Sequence, residues 1–266
     1  MTPQDIAIAA HDLDQAERSG KQIRLLTLRH PEMNMDDAYA VQAAWVDHKV
    51  KEGRLVRGWK IGLTSKAMQY ALNIDIPDSG VLLDDMFFDD GATIPKSRFI
   101  QPRVEAEIAF IMRTDLAGSG TTPADVLAAT EYVAPSLEIL DTRILRVDPE
   151  TKKSRTVFDT IADNAANAGI VLGKQKHKPD VSNLRWVGAI VSRNGEVEET
   201  GLGAGVLNDP ALSVAWLARR LAHYGKSIAA GDVVLSGSFI RPIEAPSGAL
   251  IEADFGAFGS VSCSFA

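Results

Sequence analysis

The sequence predicts an α+β protein in which a helical N-terminal segment precedes a β-rich body. Helical spacing of apolar residues dominates the first fifty-odd positions, and after residue 57 candidate strands outnumber helices without alternating regularly with them. A doubly wound sheet would require that regular alternation. We therefore expect a helical segment at 1–56, followed at 57–266 by a domain of mixed sheets folded into a roll or distorted barrel.

Two amphipathic helices are predicted in the N-terminal segment. The first runs from residue 3 to about residue 19, and its apolar positions repeat at helical spacing: Ile6, Ala10, Leu13 and Ala16. The second begins at Asn34, whose side chain can cap free backbone amides, and ends before Gly53.

Residues 57–65 form a short apolar run between glycines, with Lys60 in its middle. A lysine is seldom buried without a partner, so Lys60 lies either at a sheet edge, with its tail reaching solvent, or in a functional site. Thr64 or Ser65 is expected to cap a helix running through Met68 to Leu72.

The segment 75–80 contains proline, aspartate and glycine, a composition that favours a loop or turn. Asp78 within it is accounted for by turn hydrogen bonding alone. From these residues by themselves, no functional role for Asp78 is required.

Residues 104–110 alternate carboxylates with apolar residues at the period of a β-strand. Glu105 and Glu107 would project from one face of that strand, with apolar side chains on the other. An antiparallel strand with one solvated face gives the same pattern, so the spacing alone leaves a structural and a functional interpretation open.

A third carboxylate, Glu138, lies inside the apolar run 134–140, which is typical of a buried strand. If Glu138 lies beside Glu105 and Glu107, three like charges crowd together, and protons or a cation must offset their repulsion. A hard divalent cation with oxygen ligands, Mg²⁺ or Mn²⁺, suits such a site best.

Further elements follow along the chain. Thr122 and Pro123 open a short helix, Asn194-Gly195 supplies a hairpin turn, and a long helix runs from Asp209 to Gly225. The basic segment 146–155 predicts a surface loop, with a mobile cover over a site as the alternative. The polar side chains at 163–167 are expected to secure a tight turn before an apolar strand.

Composition limits the class of protein. The 266 residues carry a net charge of −7, which disfavours a non-specific nucleic-acid surface. The single cysteine, Cys263, excludes an intramolecular disulfide and fits a reducing compartment. There is neither a leader-like N-terminus nor an apolar run of about 18 residues. We therefore expect a cytoplasmic protein without a membrane segment.

Several short segments together resemble the fumarylacetoacetate-hydrolase superfamily, and within it the hydratases and decarboxylases of aromatic meta-cleavage pathways. The shared segments are KIGLTS at 60–65, QPRVEAEIAF at 101–110, SLEI at 136–139 and DN at 163–164. Three others resemble members acting on seven-carbon diacids: LLDDMFF at 82–88, VFDTI at 157–161 and GSFIRP at 237–242. Trp59 departs from the pattern, since histidine is expected there.

The resemblance implies a mixed β-roll like that superfamily's C-terminal domain, assembled as a homo-oligomer. It also implies that Glu105, Glu107 and Glu138 hold Mg²⁺ or Mn²⁺, with Lys60 and Asp78 lining the same site. Lys60, with a pKa lowered by burial or by the cation, would then move a proton, and Asp78 would orient or activate water.

The implied reaction is the addition of water to a 2-hydroxy-2,4-dienoate, or to the corresponding 2-oxo-enoate, with a second carboxylate at the far end. That distal carboxylate needs a cation, for which Arg241 is the first candidate, with Ser238 and Arg103 as further substrate-binding residues. The alternatives are a hydratase for five-carbon 2-hydroxypenta-2,4-dienoate, a 4-oxalocrotonate-type decarboxylase, and a non-catalytic subunit that binds oxo acids through a metal.

Overall fold

The computed structural model describes residues 1–66, 69–70, 74, 76–180 and 183–266. The helix predicted through Met68 to Leu72 falls largely outside these ranges. Within them, no helix combines the length and apolar character needed to cross a membrane.

The N-terminal segment is helical, as predicted. Its helices are α1 (Pro3–Ser19), the short α2 (Leu26–Arg29) and α3 (Met35–Lys51). Capping boxes start the two long helices, with Thr2 and Asp5 bonding reciprocally at α1, and Asn34 and Asp37 at α3. Gly53 follows α3 with a φ of 96°. Local sequence thus accounts for where both helices begin.

Strands dominate the rest of the chain. In chain order the elements are β1 (Val56–Gly62), β2 (Asp78–Leu83), β3 (Phe87–Asp89), β4 (Ala92–Ile94), β5 (Arg103–Met112), α4 (Pro123–Ala129), β6 (Thr130–Leu140), α5 (Val157–Ala162), β7 (Asn167–Leu172), β8 (Gly188–Arg193), β9 (Glu196–Leu202), α6 (Pro210–His223), β10 (Val233–Ser238), β11 (Ile243–Glu244), β12 (Leu250–Asp254) and β13 (Ser260–Phe265).

The strands form two mixed sheets. The larger has the order β2-β1-β10-β5-β6-β7-β3, with β11 pairing β5, and the smaller has the order β4-β13-β12-β8-β9. The largest core cluster joins residues of both sheets and of α6. The α+β class is therefore confirmed, and among the described residues the sheets stay open and close no barrel.

The strands predicted at 104–110 and 134–140 are confirmed and pair with each other as antiparallel neighbours. The hairpin turn at Asn194-Gly195 is confirmed too, with positive φ at both residues. The predicted loop at 75–80 is wrong from Asp78 onward, because Asp78–Leu83 is a buried strand paired with β1. Pairing and burial outweigh the turn-forming composition there.

A second core joins the N-terminal helices to the body. Trp45 of α3 belongs to the same buried cluster as Leu83 of β2 and Ile161 of α5. The guanidinium of Arg143 lies over the Trp45 ring, 5.4 Å from its centroid, and pairs with the buried Asp163. The division at residue 56 remains a prediction, and the two parts share this packing.

Candidate metal centre

Three glutamates converge on the large sheet. In the β5–β6 pairing Glu105 is directly opposite Glu138, and Glu107, two residues further along β5, shares the face of Glu105. Each residue offers an oxygen, and these three oxygens lie within 4.8 Å of one another. Glu107 and Glu138 are fully buried, and Glu105 is half-buried.

This grouping is electrostatically costly when no cation is present. Burial, reinforced by the neighbouring Glu138 carboxylate, raises the pKa of Glu105 to about 8. Burial together with Glu138 and Glu105 raises the pKa of Glu107 well above its usual value. A bound cation would relieve both effects by favouring the charged carboxylates.

The hydrogen bonds leave oxygens available for a cation. Glu107 Oε2 accepts from the Gly237 amide at 2.7 Å, and Glu138 Oε1 accepts from Asn167 Nδ2 at 2.8 Å. The other oxygen of each carboxylate is buried and has no hydrogen-bond partner among the described residues. Buried, oriented and unsatisfied carboxylate oxygens are the donors that a hard divalent ion prefers, so the residues fit one.

Lys60 lies beside this group. Its strand β1 runs between β2 and β10, so the alternative of a sheet-edge position is wrong. The residue is only 3% exposed, and its Nζ lies 3.3 Å from Glu138 Oε1. Burial lowers the pKa of Lys60, but Glu138, Asp78 and the other carboxylates outweigh burial and raise the pKa above its usual value. The lowering of the Lys60 pKa that is expected with a cation bound remains a prediction.

Asp78 reaches the same place from β2. It pairs with Gly62 in the β1–β2 register and is 2% exposed, and its Oδ1 is buried without a hydrogen-bond partner among the described residues. Burial raises the pKa of Asp78. A Cβ at Gly62 would collide with Asp78 Oδ1 and lie 3.0 Å from Lys60 Nζ, so a glycine leaves the room that both side chains occupy.

A cavity of about 550 Å³ opens onto these groups. Six of the eight predicted site residues line it: Lys60, Asp78, Arg103, Glu105, Ser238 and Arg241. Glu107 and Glu138 do not line the cavity. Their carboxylates lie next to that of Glu105, which does. The volume of the cavity suits a small molecule.

The predicted substrate-binding residues already have partners in the structure. Arg241 pairs with Glu199, and its side chain is 78% exposed. Arg103 pairs with Glu244. Ser238 Oγ donates to the Ile240 carbonyl at 2.8 Å and accepts from the Ile240 amide at 3.1 Å.

Sequence reasoning missed Asn167, which orients Glu138, and Arg146 and Arg155, which line the cavity. Its only signal for Asn167 was a polar residue just before an apolar strand. The arginines lie in the basic segment 146–155, for which the sequence predicts a surface loop.

A strained turn completes the cavity wall. Asn164, Ala165 and Ala166 have φ values of 50°, 51° and 60°, a left-handed region that costs L-residues about 1–2 kcal/mol each. Asn164 holds the turn by accepting from the Val81 amide at 2.8 Å and donating to its carbonyl at 2.9 Å. Ala165 and Ala166 line the cavity. The predicted role of these polar groups in securing a turn agrees with these contacts.

A second group with ligand-like spacing comprises Asp14, His48 and Glu52. Asp14 is already paired with Arg18 at 2.6 Å and Lys49 at 2.8 Å. These cations neutralise the group, which is therefore an ion-pair network joining α1 to α3.

No protein-family model matches the chain. It is 54% identical to 2-oxo-hept-4-ene-1,7-dioate hydratase of Escherichia coli, over 97% of each chain. It is 43% identical to 2-keto-4-pentenoate hydratase of Paraburkholderia xenovorans, over 100% of this chain and 96% of the relative. It is 35% identical to 4-oxalocrotonate decarboxylase of Pseudomonas putida, over 98% and 97%.

Solved structures of related enzymes are also similar to this chain. The 4-oxalocrotonate decarboxylase from Pseudomonas putida G7, complexed with magnesium and adipate, superposes with a TM-score of 0.94 at 33% identity, covering 100% of this chain and 99% of that one. Fumarylpyruvate hydrolase from Pseudomonas aeruginosa has a TM-score of 0.60 at 12% identity, over 79% and 88% of the chains, which shows a common fold alone.

Proposed function

The chain belongs to the hydratase and decarboxylase family of the fumarylacetoacetate-hydrolase superfamily, and we propose that it converts 2-oxo-hept-4-ene-1,7-dioate and water to 4-hydroxy-2-oxoheptanedioate. It is an enzyme of the hydro-lyase class. The observation that carries the choice of substrate is the 54% identity to the hydratase of that name over 97% of both chains.

The proposed metal ligands are Glu105, Glu107 and Glu138, and the proposed ion is Mg²⁺ or Mn²⁺. Their unpaired buried oxygens support this assignment. The decarboxylase relative has been solved with magnesium and adipate, and also with calcium and acetate. When bound, such an ion supplies Lewis acidity toward the carboxylate and 2-oxo group of an oxo acid.

The proposed reaction has two proton-transfer stages. The 2-hydroxy-2,4-diene form first loses its hydroxyl proton and gains a proton at C5, which leaves a 2-oxo-3-ene. Water then adds its oxygen to C4, the water loses a proton, and C3 gains one. Each stage requires one group that releases a proton and one group that accepts a proton near the same carbon chain.

Lys60 and Asp78 are the proposed pair. Lys60 Nζ lies 3.3 Å from Glu138 Oε1 and lines the cavity, so its ammonium is placed to give a proton to a substrate carbon and to regain one there. Asp78 Oδ1 has no hydrogen-bond partner among the described residues, and burial raises the pKa of Asp78, which makes its carboxylate a stronger base than usual and suits it to accept a proton from water. Both side chains line the cavity.

Substrate binding is proposed for Arg241, Ser238 and Arg103, which line the cavity around those two side chains. We further propose the homoprotocatechuate pathway, a cytoplasmic location and a homo-oligomer. Family resemblance implies the pathway and the assembly, and the single cysteine fits the location. Light scattering of the purified protein tests the oligomer.

A second candidate is decarboxylation of a 4-oxalocrotonate-type diacid. The TM-score of 0.94 to the decarboxylase structure favours it. The 43% identity to a 2-keto-4-pentenoate hydratase similarly favours a five-carbon substrate. The seven-carbon hydratase, the five-carbon hydratase and the decarboxylase would all act on a substrate with a carboxylate and a 2-oxo or 2-hydroxy group at one end. They differ in the far end of the substrate or in the product.

One experiment separates these candidates. Loss of the dienoate absorbance is followed with seven-carbon and five-carbon substrates, with and without a chelator, while CO₂ release is assayed on a vinylogous 2-oxo diacid. Chelator-sensitive loss of absorbance that is fastest with the seven-carbon diacid, without CO₂, supports the proposal. CO₂ release supports the decarboxylase, and binding without turnover supports a non-catalytic subunit.

A further inference from the structure

We propose that Arg155 recognises the distal carboxylate of a dicarboxylic substrate and so sets the preference of this site for diacids over monoacids. The inference rests on the proposed function and goes beyond it by assigning specificity to a residue outside the predicted set.

Besides Arg241, three arginines of the described residues line the cavity: Arg103, Arg146 and Arg155. Arg103 and Arg146 both pair with one carboxylate oxygen, Glu244 Oε1. Arg155 has no ion-pair partner among the described residues, and its Nη1 is buried without a hydrogen bond. Two of these cations therefore share one carboxylate, and Arg155 is left as the unpaired cation on this wall.

Other carboxylates near Arg155 are engaged elsewhere. Asp141 accepts from the amides of Ile100 and Gln101, Asp159 accepts from Thr27 and Thr156, and Asp163 holds Arg143. Asp78 lines the same cavity and interacts electrostatically with Arg155, but no carboxylate among the described residues forms an ion pair with Arg155.

The surroundings make the unpaired guanidinium costly. Burial lowers the pKa of Arg155, and the nearby Arg146 and Arg103 oppose its charge further, against partial compensation from Asp163. A partly buried cation without a partner is unfavourable, so a carboxylate that enters the cavity gains more from Arg155 than from an arginine already paired.

The backbone around Arg155 is held in place by the rest of the chain. The Arg155 amide donates to the Arg146 carbonyl at 2.9 Å, and Val147 bridges Ser154. Arg24 donates from Nε and Nη2 to the two oxygens of the fully buried Asp148, at 2.7 and 3.1 Å. The loop at 146–155 is therefore anchored to the N-terminal segment, and the alternative of a mobile cover is disfavoured.

Arg155 also suits a carboxylate better than Arg241 does. Arg241 is 78% exposed and already paired with Glu199, so a substrate carboxylate would have to displace or share that partner in solvent. A planar guanidinium with free donors can bind a carboxylate through two parallel hydrogen bonds.

The test compares Arg155→Ala, Arg155→Lys and Arg241→Ala with the wild type, in saturating Mg²⁺, on 2-hydroxyhepta-2,4-diene-1,7-dioate and 2-hydroxypenta-2,4-dienoate. Arg155→Ala should lower kcat/KM for the diacid by about tenfold to a hundredfold, mostly through KM, and leave the monoacid within about threefold. Arg155→Lys keeps the positive charge but loses the planar guanidinium, so its kcat/KM for the diacid should lie between those of the wild type and Arg155→Ala. Arg241→Ala, the matched control in the same cavity, should show a smaller diacid-specific loss.

Retained monoacid turnover also shows that the variant is folded. If Arg155→Ala does not fold, the comparison is made with Arg155→Lys and with adipate as a competitive inhibitor. An equal loss on both substrates, an unchanged diacid preference, or a larger diacid-specific loss in Arg241→Ala overturns the inference while the proposed function stands. A wild-type protein that hydrates neither substrate overturns the proposed function itself.

Discussion

Glu105 and Glu138 stand directly opposite each other on the neighbouring antiparallel strands β5 and β6. Like charges in this position destabilise a sheet, and here the pair lies in a largely buried setting with Glu107 alongside. Lys60 provides a single compensating cation at Glu138. The arrangement is therefore expected to be most stable with a divalent ion bound.

Replacing Glu107 with Gln should abolish metal-dependent turnover and leave the fold intact. The amide keeps the shape and can still accept from the Gly237 amide, but it removes one of the three anionic ligands. Without metal the variant should melt above the wild type, because one repelling charge is gone. Thermal unfolding with and without Mg²⁺ or Mn²⁺ measures both effects.

The stabilisation by metal should then be much smaller than the roughly 2.7 kcal/mol expected for the wild type at a hundred times Kd. Glu252→Gln, on the exposed face of β12, is the matched control and should behave as the wild type. Near-normal turnover in Glu107→Gln would refute the ligand assignment.

Replacing Lys60 with Met should lower kcat by about a hundredfold to ten-thousandfold, the usual contribution of a positioned proton-transfer group. Met preserves most of the buried volume, and the loss of a cation 3.3 Å from Glu138 should strengthen metal binding. Steady-state kinetics and calorimetric titration with Mn²⁺ measure the two effects separately. Stronger metal binding with unchanged kcat would show that Lys60 only balances charge.

Replacing Gly62 with Ala should disrupt the site by displacing Asp78. The new Cβ would collide with Asp78 Oδ1 and crowd Lys60 Nζ, so we expect at least a tenfold loss of kcat, about 1.4 kcal/mol in the barrier. Gly205→Ala is the matched control, since Gly205 lines the same cavity and its Cβ would meet open space. Equal activity in the two variants would contradict the placement of Asp78.

Replacing Arg143 with Ala should destabilise the protein by about 3–5 kcal/mol, because it leaves Asp163 buried without its partner. The strained turn at 164–166, which follows Asp163, would lose support as well. Urea unfolding measures the change. Arg29→Ala, which breaks the more exposed pair with Asp12, should cost about 1 kcal/mol or less. Similar costs for both variants would count against a structural role for the buried pair.

Much of the local structure was predictable from the sequence. Asn34 and Thr122 cap helices as expected, Asn194-Gly195 forms the hairpin turn, and alternation correctly placed Glu105 and Glu107 on one face of a strand. Each of these depends on residues within a few positions of one another, so short-range sterics and hydrogen bonding decide them. Resemblance to a family supplied the link from Glu105 and Glu107 to Glu138.

Tertiary structure alone decided the rest. The register that sets Glu105 against Glu138, the place of Lys60 between two strands, and the strand at Asp78 all depend on pairing between distant segments. Arg155 lies in a segment for which the sequence predicts a surface loop, and only the structure shows that its Nη1 is buried without a hydrogen-bond partner among the described residues. Strand register and buried charge pairing are set by packing over the whole chain, so no local pattern specifies them.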